Sequence, residues 1–213
     1  MPRHFVLSLA VVAIASCAWA QQGDGSPQAV FDRAQSDFRD GRIAESAAGF
    51  DRLIALVPDA MPGLWQRGIA LYYAERYGDC RAQFEAHRTV NPNDVENAAW
   101  HFLCVARAES PAAARAALLP VGPDQRVPMR EVYDLFRGER TPDQVLAAAG
   151  RSTSGQFYAH LYLGLDFEAL GDRAQALAHI RLAADDGFAA AGGISPYMHM
   201  VARVHLDRLQ RAR

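Results

Sequence analysis

Apolar residues recur along the chain at helical spacing, in short segments separated by Gly, Pro and Asx residues. Gly41 marks a turn between the first two segments, and Asn93-Asp94 supplies an Asx cap for a later one. This pattern predicts helix hairpins with short connections, and hence an all-α fold. The helices predicted in the first half are 28–40, 43–57, 62–76, 79–90 and 95–107.

Three pairs of residues repeat at a common offset of 34 positions, which is the period of tetratricopeptide (TPR) units. The residues of one pair have small side chains, which allow two helices to approach closely, and those of another are aromatic and can fill a core. The third is proline, which ends a helix. The sequence therefore predicts a TPR helix-turn-helix superhelix. The pairs are Ala34 and Gly68, Phe50 and Phe84, and Pro58 and Pro92.

The repeat register is not uniform along the chain. Regular TPR repeats are expected over 28–109. An irregular middle section follows at 110–154, and four prolines interrupt its first part, up to position 128. Short helices are predicted there at 112–119, 129–136 and 142–149. A late repeat, with Gly164 at the close contact and Gly171 at the turn, begins the segment 155–213. A C-terminal capping helix at 195–209 completes the array.

The N-terminal sequence is typical of an export signal, because basic residues precede an apolar run that is too short to span a bilayer. Two cleavage sites are open. Ala18-Trp19-Ala20 predicts a signal peptide 1–20, with a linker at 21–27 and a periplasmic protein. Alternatively, a lipobox ending at Cys17 predicts a lipoprotein signal 1–16 and an outer-membrane anchor. Both indicate a bacterial cell-envelope protein.

The stretch 67–73, the Asn91-Pro92-Asn93-Asp94 turn and the Trp100 helix together resemble the NlpI family of envelope TPR lipoproteins. The late motif 162–172 matches the same order of parts, so the resemblance covers roughly 28–209. It implies a non-enzymatic adaptor that binds cell-wall hydrolases or a periplasmic protease, and it leaves a homodimer open. The alternative is a structural TPR subunit of an outer-membrane or secretion assembly.

Composition excludes several other functions. The formal net charge is -2 and all 22 basic residues are Arg, without the clustered basic face that nucleic acid requires. Membrane contact is therefore expected only through a lipid anchor. The absence of Lys excludes P-loop and Schiff-base chemistry, and motifs of metalloproteases, hydrolases and dinucleotide-binding enzymes are missing. We predict no catalytic residue, no metal site and no cofactor.

Cys80 and Cys104 lie symmetrically about Pro92. Two antiparallel helices turning there would bring them to the same height, and an oxidising periplasm would allow a disulfide. Two buried free thiols are the alternative.

The histidines at 199 and 205 do not share a helix face, which argues against a metal site on the last helix.

First helices of successive TPR units line a concave groove, where recognition residues lie. Proteins or peptides are the expected partners. Aromatic and Arg side chains usually dominate such interfaces, so Arg39, Trp65, Tyr72 and Tyr73 are the expected anchors. Removing Trp65 and Tyr73 should then abolish binding with little loss of stability. The predicted groove residues are Phe31, Gln35, Phe38, Arg39, Trp65, Ile69, Tyr72, Tyr73, Trp100 and His101.

Overall fold

The computed structural model describes residues 25–211, which form eleven α-helices and two 3-10 helices without any β-strand. The all-α prediction is confirmed. The predictions concerning Cys17 and the two cleavage sites lie outside the described residues. The α-helices are α1 (Pro27–Arg39), α2 (Ile43–Leu56), α3 (Trp65–Tyr73), α4 (Tyr77–His87), α5 (Val95–Ala108), α6 (Pro111–Ala116), α7 (Met129–Arg137), α8 (Pro142–Ala149), α9 (Thr153–Ala169), α10 (Arg173–Ala183) and α11 (Pro196–Arg211).

Successive helices pack as neighbours, with α1 on α2, α3 on α4, and α9 on α10. The close approach depends on small residues. A Cβ atom added to Gly68 would lie 2.6 Å from the ring of Phe84, and one added to Gly164 would lie 2.5 Å from Ile180 Cγ1. Two helix pairs that are distant in sequence therefore use glycine for the same purpose, which is to seat a large side chain of the second helix.

Helix ends follow local signals in most of the chain. Asp94 accepts a hydrogen bond from the backbone N–H of Glu96 and so caps α5. The α1–α2 and α9–α10 turns use glycine in the left-handed region, with φ of 73° at Gly41 and 85° at Gly171. The second pair differs from prediction. Its first helix, α3, has nine residues and begins at Trp65 instead of at position 62. The proline-containing segment Pro58–Gly63 before it forms a 3-10 helix.

The irregular middle section folds back over the α4–α5 turn. After α6 the chain is non-helical up to α7, and the backbone N–H of Gly122 donates to Pro92 O at 3.0 Å. The same stretch carries Arg126 to the N-terminus of α5, where it pairs with Asp94. An irregular loop therefore contributes a charged side chain to the face formed by the regular helices.

The last helix does not simply end the array. Helix α11 packs on α10, as a terminal cap should, but it also contacts α1 at the other end of the chain. Tyr197, Met198, Val201, Ala202 and His205 of α11 are all buried. The C-terminal helix therefore lies across the first helices, and the array closes upon itself.

Candidate functional site

The aromatic residues predicted to line a groove lie together on one side of α1, α3 and α5. Phe38 of α1 meets Tyr73 of α3 edge-to-face, with ring centroids 5.3 Å apart. Tyr72 meets Trp100 of α5 in the same manner at 5.5 Å. Helices α1, α3 and α5 thus share one continuous aromatic cluster, which we call the concave face after the groove predicted there.

Helix α11 occupies much of this concave face. The ring of Tyr197 stacks on Phe38 at 5.6 Å and meets Trp65 edge-to-face at 5.1 Å. The contact continues along α11 to His205, whose Nδ1 atom lies 2.9 Å from the hydroxyl of Tyr73. The prediction of an open groove is therefore wrong over this part, because the chain's own last helix fills it.

The predicted anchors must be corrected accordingly. Tyr73 is 7% exposed and hydrogen-bonded, so the expectation that it could be removed without loss of stability is wrong. His101 is also buried and faces away from the groove, with Nε2 3.4 Å from Glu85 on α4. Of the predicted set, Arg39 is the one residue that is exposed. The buried members of the predicted set are Phe38, Ile69, Tyr72, Tyr73, Trp100 and His101, and the partly exposed ones are Phe31, Gln35 and Trp65.

A buried polar cluster fixes α11 against α3 and α9. His205 Nε2 and the Tyr72 hydroxyl each lie 3.4 Å from Glu168 Oε2. Burial lowers the pKa of His205 to about 4, and the neighbouring cation of Arg208 acts in the same direction. The ring is therefore neutral at pH 7. Arg208 spans the rings of Tyr72 and Tyr73, at 5.9 and 5.6 Å from their centroids.

A second polar cluster lies at the N-terminus of α5. Arg126 contacts Glu96 Oε1 at 2.5 Å, Asp94 at 2.5 Å and Asp124 at 2.6 Å. The Tyr162 hydroxyl donates to the other oxygen of Glu96 at 2.6 Å. Burial, reinforced by the charge of Asp94, raises the pKa of Glu96 to about 7. One cation thus faces three acidic side chains, which leaves this end of the face acidic.

Two of the cavities beside α11 are lined by aromatic residues of the predicted set. The larger, about 510 Å³, lies between the α1–α2 turn and α11 and includes Arg39, Tyr73, Asp207 and Arg211. The smaller, about 230 Å³, lies at the start of α5 and is lined in part by aromatic rings. Asn97 in the smaller cavity was not among the predicted site residues. The sequence pattern does not single it out, because most of the other side chains that line the cavity come from distant segments.

Cys80 and Cys104 form a disulfide bond, with Cα atoms 5.9 Å apart. The bond joins α4 to α5 beneath the concave face, so it fixes the hairpin that carries Trp100.

Within residues 25–211, no group of three or more potential metal ligands is found. None of the described helices is long and apolar enough to cross a bilayer.

Comparison with models of known protein families gives no match, and no curated protein sequence matches the chain either.

Proposed function

We propose that the protein is a non-enzymatic TPR-type adaptor of the bacterial cell envelope that binds other proteins. Three features support a TPR-type array: the offset of 34 residues, the hairpins packed in neighbouring pairs, and the glycine contacts at Gly68 and Gly164. Cell-wall hydrolases or a periplasmic protease are the proposed partners, following the likeness to NlpI.

One observation carries the proposal. The concave face accepts an amphipathic helix, here α11, through Phe38, Trp65 and Tyr73. Helix-in-groove binding is a common mode of peptide recognition, and a face that holds one helix through aromatic anchors has the chemistry to hold another. Within this proposal, a partner's polypeptide docks along α11, beginning at the open cavity near Arg39.

The charges around that cavity favour a polar rim to the interface. Arg39 is 63% exposed at its side chain, and Arg211 is 79% exposed. Asp40 and Asp207 line the same cavity. Exposed charges of both signs set orientation and association rate more than affinity, so reversing two of them should weaken docking without disturbing the fold.

Capture from envelope extract tests the proposal. Tagged protein should retain a defined set of cell-wall enzymes after crosslinking, and Arg39→Glu combined with Arg211→Glu should lose most of them. Arg181→Glu, an exposed change on α10, is the matched control and should retain the set. Equal capture by all three proteins would refute docking at this cavity. Stoichiometric recovery of one fixed membrane complex would favour the structural-subunit alternative over an adaptor.

A further inference from the structure

Helix α11 is held on the concave face mainly by ring contacts, and its polar side chains are incompletely paired there. The hydroxyl of Tyr197 is buried without a hydrogen-bond partner among the described residues, and His205 Nε2, at 3.4 Å from Glu168, also lacks one. A buried polar atom that is left unpaired has lost its hydration without a replacement. The position of α11 is therefore less stable than its buried aromatic and apolar surface alone would make it.

The segment that joins α10 to α11 suits a helix that can move. Helix α10 ends at Ala183 and α11 begins at Pro196, and none of the residues 184–195 between them is buried. Glycine stands at positions 187, 192 and 193 of this segment. When extended, it spans several helix diameters of about 10 Å each. The connection therefore does not tie α11 to the concave face.

The concave face is also not completely filled. The cavity of about 510 Å³ lies beside the C-terminal half of α11, and Ile43, Tyr73 and Val204 are among the residues that line it. An incoming helix can contact the concave face there before α11 has left. Entry of one helix and departure of the other can thus be successive steps.

Helix α11 shows which pattern of side chains the concave face accepts. Tyr197 packs on aromatic rings of α1 and α3, and His205 pairs with a tyrosine hydroxyl of α3. Val201 lies between them at helical spacing and is fully buried. Glu75, at 3.5 Å from Arg208, favours a cation further along. A matching partner segment is an amphipathic helix with an aromatic residue at i, an apolar one at i+4, a hydrogen-bond acceptor at i+8 and a cation at i+11.

We propose that α11 is an autoinhibitory helix, which covers the concave face until an amphipathic helix of a partner protein with this pattern displaces it. This role rests on the docking function proposed above and specifies its site, because the partner helix ends in the position that α11 occupies. Since α11 belongs to the same chain, its effective concentration at the concave face is on the order of 1 mM. A free helix of equal intrinsic affinity therefore binds weakly while α11 is intact.

A fluorescently labelled peptide with the sequence of residues 195–211 tests the proposal on the intact protein by anisotropy. The peptide has the same contacts to make as α11, so the two compete for one position. Tyr197→Ala in the protein weakens the chain's own α11 and leaves the peptide unchanged. The peptide should then bind tenfold or more tightly than to the unmodified protein, because a buried aromatic anchor supplies much of such binding. An unchanged or lower affinity would overturn the proposal.

The same substitution in the peptide should act in the opposite direction. Peptide with Tyr197→Ala should bind the Tyr197→Ala protein tenfold or more weakly than the unmodified peptide does. The matched control in the protein is Gln210→Ala, an exposed change on α11 that should leave peptide affinity within twofold. If Gln210→Ala raised the affinity as much as Tyr197→Ala, the gain would not come from the concave face, and the proposal would be refuted.

Hydrogen exchange in the unmodified protein requires no variant, so it remains decisive if Tyr197→Ala folds poorly. Isotopically labelled protein is mixed with unlabelled peptide at saturation, and amides of the chain's own α11 should exchange faster while those of α9 do not change. Unchanged exchange in α11 would overturn the proposal. Capture of cell-wall enzymes without displacement of α11 would reject autoinhibition but leave the adaptor function. Displacement without capture would reject the adaptor function alone.

Discussion

The position of α11 on the concave face predicts an unusual dependence of stability on pH, which His205→Gln exposes. Glutamine keeps an acceptor for the Tyr73 hydroxyl but cannot titrate. His205 is buried beside Glu168, with Arg107 and Arg208 as the neighbouring cations, and its pKa is lowered to about 4 in the folded protein. In the unfolded chain its pKa is about 6.5.

The sign follows from these two values. Because the folded pKa is the lower one, the unfolded chain takes up the proton first as the pH falls. The stability contribution is complete above pH 6.5 and declines towards pH 4. Between pH 7 and pH 5 the loss from His205 is about 2 kcal/mol. Relative to the unmodified protein, His205→Gln should therefore gain about that amount on acidification.

Glu96 provides a control of opposite sign. Its pKa is raised to about 7 in the folded protein from 4.5, so its contribution is complete below pH 4.5 and is lost as the pH rises through 7. Glu96→Gln should thus lose about 2 kcal/mol relative to the unmodified protein on going from pH 7 to pH 5.

Urea unfolding followed by circular dichroism at both pH values measures these differences. In the unmodified protein the effects of His205 and Glu96 oppose each other over this interval, so its stability alone is uninformative. The variants separate the two effects. If His205→Gln and the unmodified protein changed in parallel between pH 7 and pH 5, His205 would be titrating as an exposed histidine, and α11 would not occupy the concave face in solution.

Three further changes test the packing beneath the site. Alanine at both positions of the Cys80–Cys104 disulfide should lower the free energy of unfolding by about 3.5 kcal/mol, from closure of a loop with 24 residues of separation, and reductant should reproduce the loss in the unmodified protein. Gly164→Ala should cost about 1–3 kcal/mol in urea unfolding because its Cβ would lie 2.5 Å from Ile180, and adding Ile180→Val should recover part of it. Tyr73→Phe should cost about 1–3 kcal/mol by leaving His205 Nδ1 unpaired, and an unchanged melting curve would contradict that bond.

Local signals explain which parts of the fold could be predicted. Gly41 and Gly171 each adopt a positive φ in a tight turn, and Asp94 caps α5 through its own side chain. Such features depend on neighbours within a few residues. The start of α3 was predicted too early, because the sequence does not distinguish a proline-rich 3-10 turn from the first turn of an α-helix.

The candidate site depends instead on contacts between distant segments. Tyr73 and His205 are separated by 132 positions, and Tyr162 and Glu96 by 66. Hydrophobic periodicity identified α11 as a helix with one apolar side, but periodicity does not state what that side packs against. Arg126 was hidden for a different reason: it lies in an irregular loop with no period at all.

The side chains that α11 places on the concave face differ along its length. Near Tyr73, the hydroxyl of Tyr73 is paired with His205, and Arg208 covers the rings, so α11 is a close substitute for a docked helix. Near Asn97, α11 contributes mainly Met198, an apolar side chain that cannot satisfy an amide or an indole N–H. The pairing at the first end is itself incomplete, because His205 Nε2 and Arg208 Nη1 are buried without a hydrogen-bond partner among the described residues. Helix α11 therefore packs on the first helices of the pairs mainly through its aromatic and apolar side chains.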